Sequence, residues 1–205
     1  MIDVGKWDAR YRDADLAATR ALSVLEQNAH LLPAQGLALD LACGLGASAR
    51  LLAAHGLETL AWDLSPVAVA RINADARDRA LPLTAEQRDV EHAPPEPDRF
   101  DVIVVGHFLE RSLAVPIARA LGPGGLLFYQ TFTDERVDET GPSRPEYRLR
   151  PNELLRLFGS LRVLVYREEG RVGDLSRGFR NEAMLVARRD TAPDTGTDHG
   201  HDRAL

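Results

Sequence analysis

The sequence predicts a three-layer α/β sandwich built on a seven-stranded, mostly parallel sheet. Short apolar segments of strand length alternate with segments of helical apolar spacing over the first two thirds of the chain. Glycine and proline separate these segments, and the alternation ends in one short helix and two closing strands. The 205 residues, 44% of them hydrophobic, are enough for one sizeable core.

The predicted elements follow from apolar periodicity and from residues that begin or end helices. Ser65 followed by Pro66 is typical of a helix start, and Gly56 of a helix end. Helices are predicted over residues 13–32, 47–55, 66–80, 108–121 and 152–158. Strands are predicted over residues 37–42, 57–62, 83–89, 100–105, 126–132, 161–167 and 179–187. Residues 122–125 are expected to form a turn between the fourth helix and the fifth strand.

Composition excludes several classes of function. The net charge of −6 disfavours an electrostatic nucleic-acid binder, so no nucleic-acid partner is expected. Cys43 is the only cysteine, which excludes an internal disulfide and fits a cytoplasmic location. Lys6 is the only lysine, which excludes a Walker A loop. The polar start and the lack of a long apolar run predict neither a signal peptide nor a membrane span.

A glycine-rich loop after the first predicted strand is the main candidate for a ligand site. Gly44 and Gly46 let the backbone turn sharply and approach a ligand, and the next helix points its N-terminus into the same space. Asp63 ends the second strand, where a carboxylate can accept both hydroxyls of a ribose. This pattern alone also fits a dinucleotide-binding fold, so a small NAD(P)-binding oxidoreductase is one interpretation.

Three features favour S-adenosylmethionine over a nicotinamide cofactor. Asp40 lies four residues before Gly44, where its charge suits a cationic amino group and disfavours a pyrophosphate. The single lysine removes the commonest chemistry of small reductases. The glycine turn at 122–125 leads into a strand, a helix and two closing strands.

At these residues the chain resembles the class I S-adenosylmethionine-dependent methyltransferases. The resemblance covers about residues 5–189 and implies a Rossmann-like fold. Five segments carry it: LDLACGLG at 39–46, WDLS at 62–65, QRDV at 87–90, FDVIVV at 100–105 and LGPGG at 121–125. Residues 7–11 and 180–188 are similar to small bacterial members near the tellurite-resistance and thiopurine methyltransferases.

The resemblance implies a role for each matching residue. The methionine part of the cofactor would pack on the loop backbone, its amino group would meet Asp40, and its ribose would bind to Asp63. Leu64 would lie beside the adenine, the Val90 backbone would meet the edge of its ring, and Asp89 would accept from its amino group. Gly106 and His107 would line the pocket below the sulfonium. The implied cofactor-binding residues are Asp40, Ala42, Cys43, Gly44, Gly46, Asp63, Leu64, Asp89, Val90 and Gly106. The Cys43 side chain itself is interpreted as a small packing residue.

Residues on the acceptor side have two interpretations each. His107 follows the strongest predicted strand and is the candidate general base, or else a wall of the pocket. Trp7, Tyr11 and Arg12 form a lid, or anchor the N-terminus to the core. Arg111 binds an anionic substrate or pairs with a carboxylate on a solvated helix. Arg180 binds a carboxylate or oxyanion, or faces water at a strand edge.

The sequence thus predicts an enzyme that transfers a methyl group from S-adenosylmethionine to a small-molecule acceptor. Residues 1–189 are expected to form the methyltransferase domain, with a helical lid segment at 1–35, and residues 190–205 a disordered tail. No metal is expected. Gly106 to Leu109 stand where amino-methylating enzymes carry an Asn/Asp-Pro-Pro-Tyr segment, which argues against those branches. The remaining alternatives are the NAD(P)-binding oxidoreductase and a non-catalytic domain that binds S-adenosylmethionine.

Overall fold

Seven strands and six helices make up the computed structural model, which describes residues 4–191. The strands are β1 Leu37–Leu41, β2 Glu58–Asp63, β3 Leu83–Gln87, β4 Phe100–Gly106, β5 Leu121–Phe132, β6 Arg162–Glu168 and β7 Glu182–Arg188. The helices are α1 Val4–Arg12, α2 Ser23–Gln27, α3 Ala47–His55, α4 Pro66–Asp78, α5 Ala114–Ala120 and α6 Glu153–Leu157. Short 3₁₀ turns occur at Ala29–Leu31, Arg111–Leu113 and Pro145–Tyr147.

The strands form one sheet in the order β3-β2-β1-β4-β5-β7-β6. The first five strands run parallel, whereas β7 is antiparallel to both of its neighbours. The predicted seven-stranded, mostly parallel sheet is therefore confirmed. The order reverses between β1 and β4, and ligands of such sheets bind outside the carboxyl ends of the strands at this switch point.

Alternating side chains of the strands build two apolar layers, one on each face of the sheet. On one face, Leu39, Ile103 and Leu127 pack with residues of α5 and α6. On the other face, Val102 and Phe128 pack with residues of α2 and α3, and a smaller cluster joins α3, α4 and β3. The three layers of the prediction are thus helix, sheet and helix.

The two best-defined helix ends follow the predicted chemistry. The Ser65 hydroxyl accepts a hydrogen bond from the Ala68 N–H at 3.2 Å, and Pro66 occupies the first turn of α4. Gly56 ends α3 with a φ of +110°, a conformation that favours glycine. Because α3 follows β1 and α4 follows β2, the N-termini of both helices lie at the carboxyl edge of the sheet.

The predicted helix over residues 13–32 is wrong for its first half. Helical structure is confined to α2 and the 3₁₀ turn at Ala29–Leu31. The Arg50 guanidinium donates to the Leu16 carbonyl and the Thr19 hydroxyl, and the Leu22 N–H donates to the Ser48 hydroxyl at 3.3 Å. These contacts with α3 hold the backbone in an irregular path although its apolar spacing is helical.

Two other predicted boundaries also change. The helix over 108–121 is shortened to a 3₁₀ turn and α5. Residues 122–125, predicted as a turn, belong to β5, whose pairing with β4 shifts register between Phe100 and Val102. A Cβ at Gly125 would lie 2.9 Å from the carbonyl oxygens of Gly122 and Phe100, so this irregular strand start requires glycine.

The predicted domain limits fall partly outside the described residues. Residues 192–205, which hold most of the predicted tail, lie outside the described residues, as do residues 1–3. Among residues 4–191, no helix is long and apolar enough to cross a membrane.

Candidate active site

The glycine loop after β1 is held in a tight turn by backbone hydrogen bonds. Ala42, Gly44 and Gly46 all have φ between +54° and +68°. The Gly46 N–H donates to the Cys43 carbonyl at 2.9 Å, and the Cys43 N–H donates to the Trp62 carbonyl at 3.0 Å. A Cβ at Gly46 would lie 3.0 Å from Ile72 of α4, so a side chain there would press on the packing below the loop. The loop is therefore a fixed backbone surface at the end of β1.

Asp63 connects this loop to the start of α4. One carboxylate oxygen accepts from the Gly44 N–H at 2.8 Å, and the other accepts from the Ser65 N–H at 2.9 Å. Burial raises the pKa of Asp63, since the loss of solvent and the nearby Asp8 outweigh the hydrogen bonds from the backbone. Each oxygen of a carboxylate accepts more than one hydrogen bond, so both retain capacity for a ligand hydroxyl. This pair of oxygens fits a ribose diol.

Asp40 lies inside the sheet layer and connects β1 to α3. Its carboxylate accepts a hydrogen bond from the Ala49 N–H at 2.9 Å. Burial, together with the charge of Asp63, raises the pKa of Asp40 to about 8. The side chain thus has an observed structural contact, and its predicted contact with the amino group of a cofactor stays a prediction.

The Cys43 thiol has no environment that would activate it as a nucleophile. Burial and the neighbouring charges of Asp40 and Asp63 raise its pKa well above the ordinary value. This supports its interpretation as a packing residue in the loop.

The predicted adenine side of the site lies where β2 and β3 end side by side. The Arg88 N–H donates to the Asp63 carbonyl at 2.9 Å, and the Gln87 side chain donates to the Leu64 carbonyl at 3.2 Å. Val90 is buried in the core, and Leu64 is half-buried. These bonds bring Leu64 close to the chain that leads into Asp89 and Val90.

Asp89 is engaged with its own loop. Its carboxylate accepts from the Glu91 N–H at 3.1 Å and lies 2.9 Å from Nδ1 of His92. Although partial desolvation opposes them, these hydrogen bonds lower the pKa of Asp89, so the group is an anion that can accept. Its predicted bond to an adenine amino group stays a prediction.

Helix α1 lies across the glycine loop and the start of α4. The Trp7 and Tyr11 rings stack with centroids 5.8 Å apart. A Cβ at Gly44 would lie 3.2 Å from the Tyr11 hydroxyl, so the Tyr11 ring covers the loop. The Ser65 hydroxyl donates to Asp8, and the Arg71 guanidinium donates to the Tyr11 carbonyl. Trp7 and Tyr11 thus come to the predicted site, whereas Arg12 is exposed.

The end of β4 carries Gly106 and His107 to the same edge. Leu41 pairs with Val105, so Ala42 and Gly106 each follow directly on that pair. A Cβ at Gly106 would lie 2.5 Å from a methyl group of Leu22, which shows that Leu22 fills the space beside this glycine. His107 has a φ of +52°, a conformation that a residue with a side chain rarely adopts and that is common at functional sites.

The contact of His107 with Glu182 was not predicted from the sequence. Nε2 of His107 lies 3.1 Å from Oε1 of Glu182, and the imidazole stacks on Phe132 with centroids 4.7 Å apart. Glu182 is 75 positions further along the chain, and no local motif marks it. Only the antiparallel pairing of β7 with β5 brings the two residues together.

The two predicted substrate arginines hold segments of backbone. Arg111 forms a bidentate pair with Glu153 and donates to the carbonyls of Glu146 and Arg148. Arg180 donates to backbone carbonyls of the loop 169–178, those of Gly170, Val172, Asp174 and Arg177 among them. A direct contact of either residue with a substrate stays a prediction.

Comparisons of sequence agree with this geometry. Residues 38–125, from β1 into β5, match the family described as "Methyltransferase domain". A ubiquinone biosynthesis O-methyltransferase of Methylococcus capsulatus is 29% identical over 134 residues, which are 61% of this chain and 55% of that protein. The protein of the same name from Photorhabdus laumondii is 31% identical over 101 residues, 45% of this chain and 41% of that protein. The chain spans about half the length of the curated relatives it matches.

Comparisons of structure agree over most of the chain. A protein solved in work on the conversion of a disulfide bond into a thioacetal group during echinomycin biosynthesis superposes with a TM-score of 0.68 at 22% identity, covering 91% of this chain and 92% of that one. TehB from Haemophilus influenzae gives 0.65 at 22% identity, with 82% and 61% covered. These likenesses show the fold. The predicted Rossmann-like fold is thereby confirmed, and the match at residues 38–125 agrees with the resemblance to class I S-adenosylmethionine-dependent methyltransferases.

Proposed function

We propose that this chain is an S-adenosylmethionine-dependent methyltransferase that acts on a small-molecule acceptor. The observation that carries the proposal is the Asp63 carboxylate, bonded to the Gly44 N–H and placed beside a left-handed glycine loop within a matched methyltransferase domain. When bound, the cofactor supplies a methyl group on a sulfonium together with its own leaving group. The protein therefore has mainly to bind, orient and exclude water.

Different residues at the carboxyl edge of the sheet bind the cofactor, orient it and exclude water. Asp63 accepts the ribose hydroxyls, the backbone of 42–46 packs against the methionine part, and Asp40 faces the amino group. Leu64 and Val90 contact the adenine, and Asp89 accepts from its amino group. Tyr11, which covers Gly44, belongs to a lid that excludes water from the bound cofactor.

On the acceptor side, His107 is proposed as the general base. It stands at the end of β4, beside the strand that carries the glycine loop. The curated relatives are named O-methyltransferases, and a hydroxyl acceptor needs a base where a thiol does not. Arg111 and Arg180 shape the acceptor side by holding the segments around 146–153 and 169–178.

The remaining proposals concern the whole chain. The methyltransferase domain is placed at residues 1–189 with a lid segment at 1–35, and the tail at 190–205. A cytoplasmic location is supported by the single free thiol, Cys43. The net charge of −6 supports a small-molecule acceptor rather than nucleic acid.

Calorimetric titration with S-adenosylmethionine, S-adenosylhomocysteine and NADP tests the cofactor. We expect micromolar binding of the first two ligands and none of NADP. Binding of NADP alone would assign the glycine loop to an oxidoreductase. Binding of S-adenosylmethionine without turnover of any hydroxyl, thiol or amine acceptor in a screen would favour a non-catalytic binding domain.

A further inference from the structure

The Glu182 carboxylate joins His107 to a buried glutamine. One oxygen of Glu182 lies 3.1 Å from Nε2 of His107, and the other accepts from the Gln130 amide at 2.6 Å. Gln130 is buried on β5, while about 44% of the His107 side chain is exposed. The three residues thus run from the core to the surface of the carboxyl edge.

The orientation of the Gln130 amide is fixed by the backbone of α2. The Val24 N–H donates to Oε1 of Gln130 at 2.8 Å, so the amide oxygen faces α2 and the NH₂ group faces Glu182. The bond from Val24 therefore identifies the oxygen and the nitrogen of the Gln130 amide independently of the contact with Glu182. A carboxylate that accepts from the amide on one oxygen has the other available for the imidazole.

The position of Glu182 is fixed from its other side as well. Asn181 precedes it with a φ of +65°, and its carbonyl accepts from the Thr133 N–H at 2.8 Å. Oδ1 of Asn181 also accepts from the Val137 N–H at 2.7 Å. Glu182 itself pairs with Phe132 in the sheet, and Phe132 stacks on the imidazole. The Glu182 carboxylate and the His107 ring are therefore both held in place by the paired ends of β5 and β7.

This arrangement selects one tautomer of His107. An ionised carboxylate only accepts hydrogen bonds, so the nitrogen that faces it, Nε2, carries the proton. In the neutral imidazole, Nδ1 then holds the lone pair. Among residues 4–191, no hydrogen bond to Nδ1 of His107 is formed, so this nitrogen remains available to an acceptor molecule.

We propose that Glu182 is a positioning residue that holds His107 as the Nε2–H tautomer, so that Nδ1 removes the proton of a hydroxyl acceptor. The inference rests on the proposed methyl transfer and narrows its substrates to phenols and alcohols. As the acceptor oxygen bonds to the methyl carbon, the carbon–sulfur bond breaks with its electron pair left on sulfur. The acceptor proton passes to Nδ1, and the imidazolium, stabilised by Glu182, later releases it to water.

The tautomer is measured first, by ¹H–¹⁵N long-range NMR correlation on protein labelled in histidine, without any cofactor. A His107→Asn variant identifies the His107 signals among the six histidines. We expect the Nε2–H form in the neutral wild type and a mixture of tautomers in Glu182→Ala. A wild type in the Nδ1–H form, or an unchanged tautomer in Glu182→Ala, overturns the proposal.

The second measurement distinguishes a role of Glu182 in positioning His107 from a role in stabilising the fold. Catechol and thiophenol serve as acceptors at pH 8, where the acidic thiol is already ionised. For Glu182→Ala, we expect kcat with catechol to fall about 100-fold or more with KM changed by less than about 3-fold, the loss typical of an impaired general base. The kcat with thiophenol should change by less than about 3-fold, since no proton needs to be removed.

A matched control is Glu139→Ala, which removes an exposed carboxylate that forms an ion pair with Arg136. It is expected to retain both activities. Equal losses on the two acceptors in Glu182→Ala, or a wild type that methylates thiophenol but not catechol, would overturn the proposal. If the wild type binds no S-adenosylmethionine, the proposed function fails, and the tautomer measurement still decides the role of Glu182.

Discussion

Asp63 organises the candidate cofactor site because it serves two elements at once. Its two oxygens hold the Gly44 N–H and the Ser65 N–H, and thereby fix the loop after β1 relative to the start of α4. A ligand hydroxyl that binds there meets a carboxylate already oriented by the backbone, so little ordering remains to be done on binding.

We expect Asp63→Asn to weaken binding of S-adenosylhomocysteine by about 10- to 100-fold, since a hydrogen bond to a charged group contributes about 1.5–3 kcal/mol. The amide also places an NH₂ group against one of the two backbone donors. Calorimetry measures the change. Asp78→Asn, at the exposed end of α4, is the control and should bind as the wild type does. Equal affinity of the two variants would reject the ribose contact.

Asp40 gives the free protein an unusual dependence on pH. Its pKa of about 8 lies above the ordinary value of 3.8, so between these values the folded protein keeps a proton that the unfolded chain has lost. The contribution of Asp40 to the free energy of unfolding therefore falls as pH rises through this window, and this loss ends above about pH 8.

Asp40→Asn removes this titration and keeps an oxygen that can accept from the Ala49 N–H. We expect the stability of the variant relative to the wild type to increase by up to about 1.4 kcal/mol per pH unit between pH 5 and 7. The difference should level off above pH 8. Urea unfolding at pH 5, 6, 7, 8 and 9 measures it. Parallel curves for the two proteins would show that Asp40 is ionised in the folded state.

At the scale of elements, α1 lies over the proposed cofactor loop without a fully buried side chain. None of its side chains is fully buried, and its contacts with the rest of the chain include Tyr11 over Gly44 and the bonds to Ser65 and Arg71. An element with few buried contacts opens at low cost in free energy. This combination is what a lid requires.

We expect Tyr11→Ala to speed amide hydrogen exchange over Val4–Arg12 and to lower affinity for S-adenosylhomocysteine by about 10-fold, the loss of roughly 1.4 kcal/mol of contact. Global stability should change by less than about 1 kcal/mol, since no core contact is lost. Tyr11→Phe keeps the ring against the loop and serves as the control. Ligand that leaves exchange in α1 unchanged in the wild type would contradict a lid.

Elements that form because of a local sequence pattern could be predicted. Elements that depend on contacts with residues far along the chain could not. The sequence predicts α3, α4 and the parallel strands, because each has its own apolar period and its own end signals. Prediction from the sequence fails over residues 13–22, where the side chains of Arg50 and Ser48 hydrogen-bond to the backbone. It also fails at Gly125, where the strand begins with an irregularity that no local sequence pattern predicts. It misses Glu182 for the same reason, since pairing across the sheet creates that contact.

At the scale of the whole molecule, Arg189 links the chain after β7 to the start of β5. Its N–H donates to the Gly125 carbonyl at 2.9 Å, and its guanidinium pairs with Asp98 and donates to the Leu121 carbonyl. These bonds fasten the end of β7 to the irregular start of β5. They suggest that the folded unit needs the chain as far as Arg189.

We therefore expect a chain that stops after Thr191 to melt within about 2 °C of the full chain, since the sequence of residues 192–205 offers few apolar side chains for a core. A control chain that stops after Ala187 loses the bonds of Arg189 and should melt about 5 °C lower or more, at roughly 1 kcal/mol per bond. Calorimetric melting compares the three chains. A large loss on stopping after Thr191 would contradict the proposed tail.

The position of β7 has a consequence for synthesis on the ribosome. Although β7 is the last strand of the described chain, it lies inside the sheet, between β5 and β6. A nascent chain that has released β6 has no neighbour for that strand until β7 leaves the exit tunnel, so the sheet cannot close before translation has passed residue 188. Glu182 is part of this strand, so its pair with His107 cannot form before β7 has left the exit tunnel.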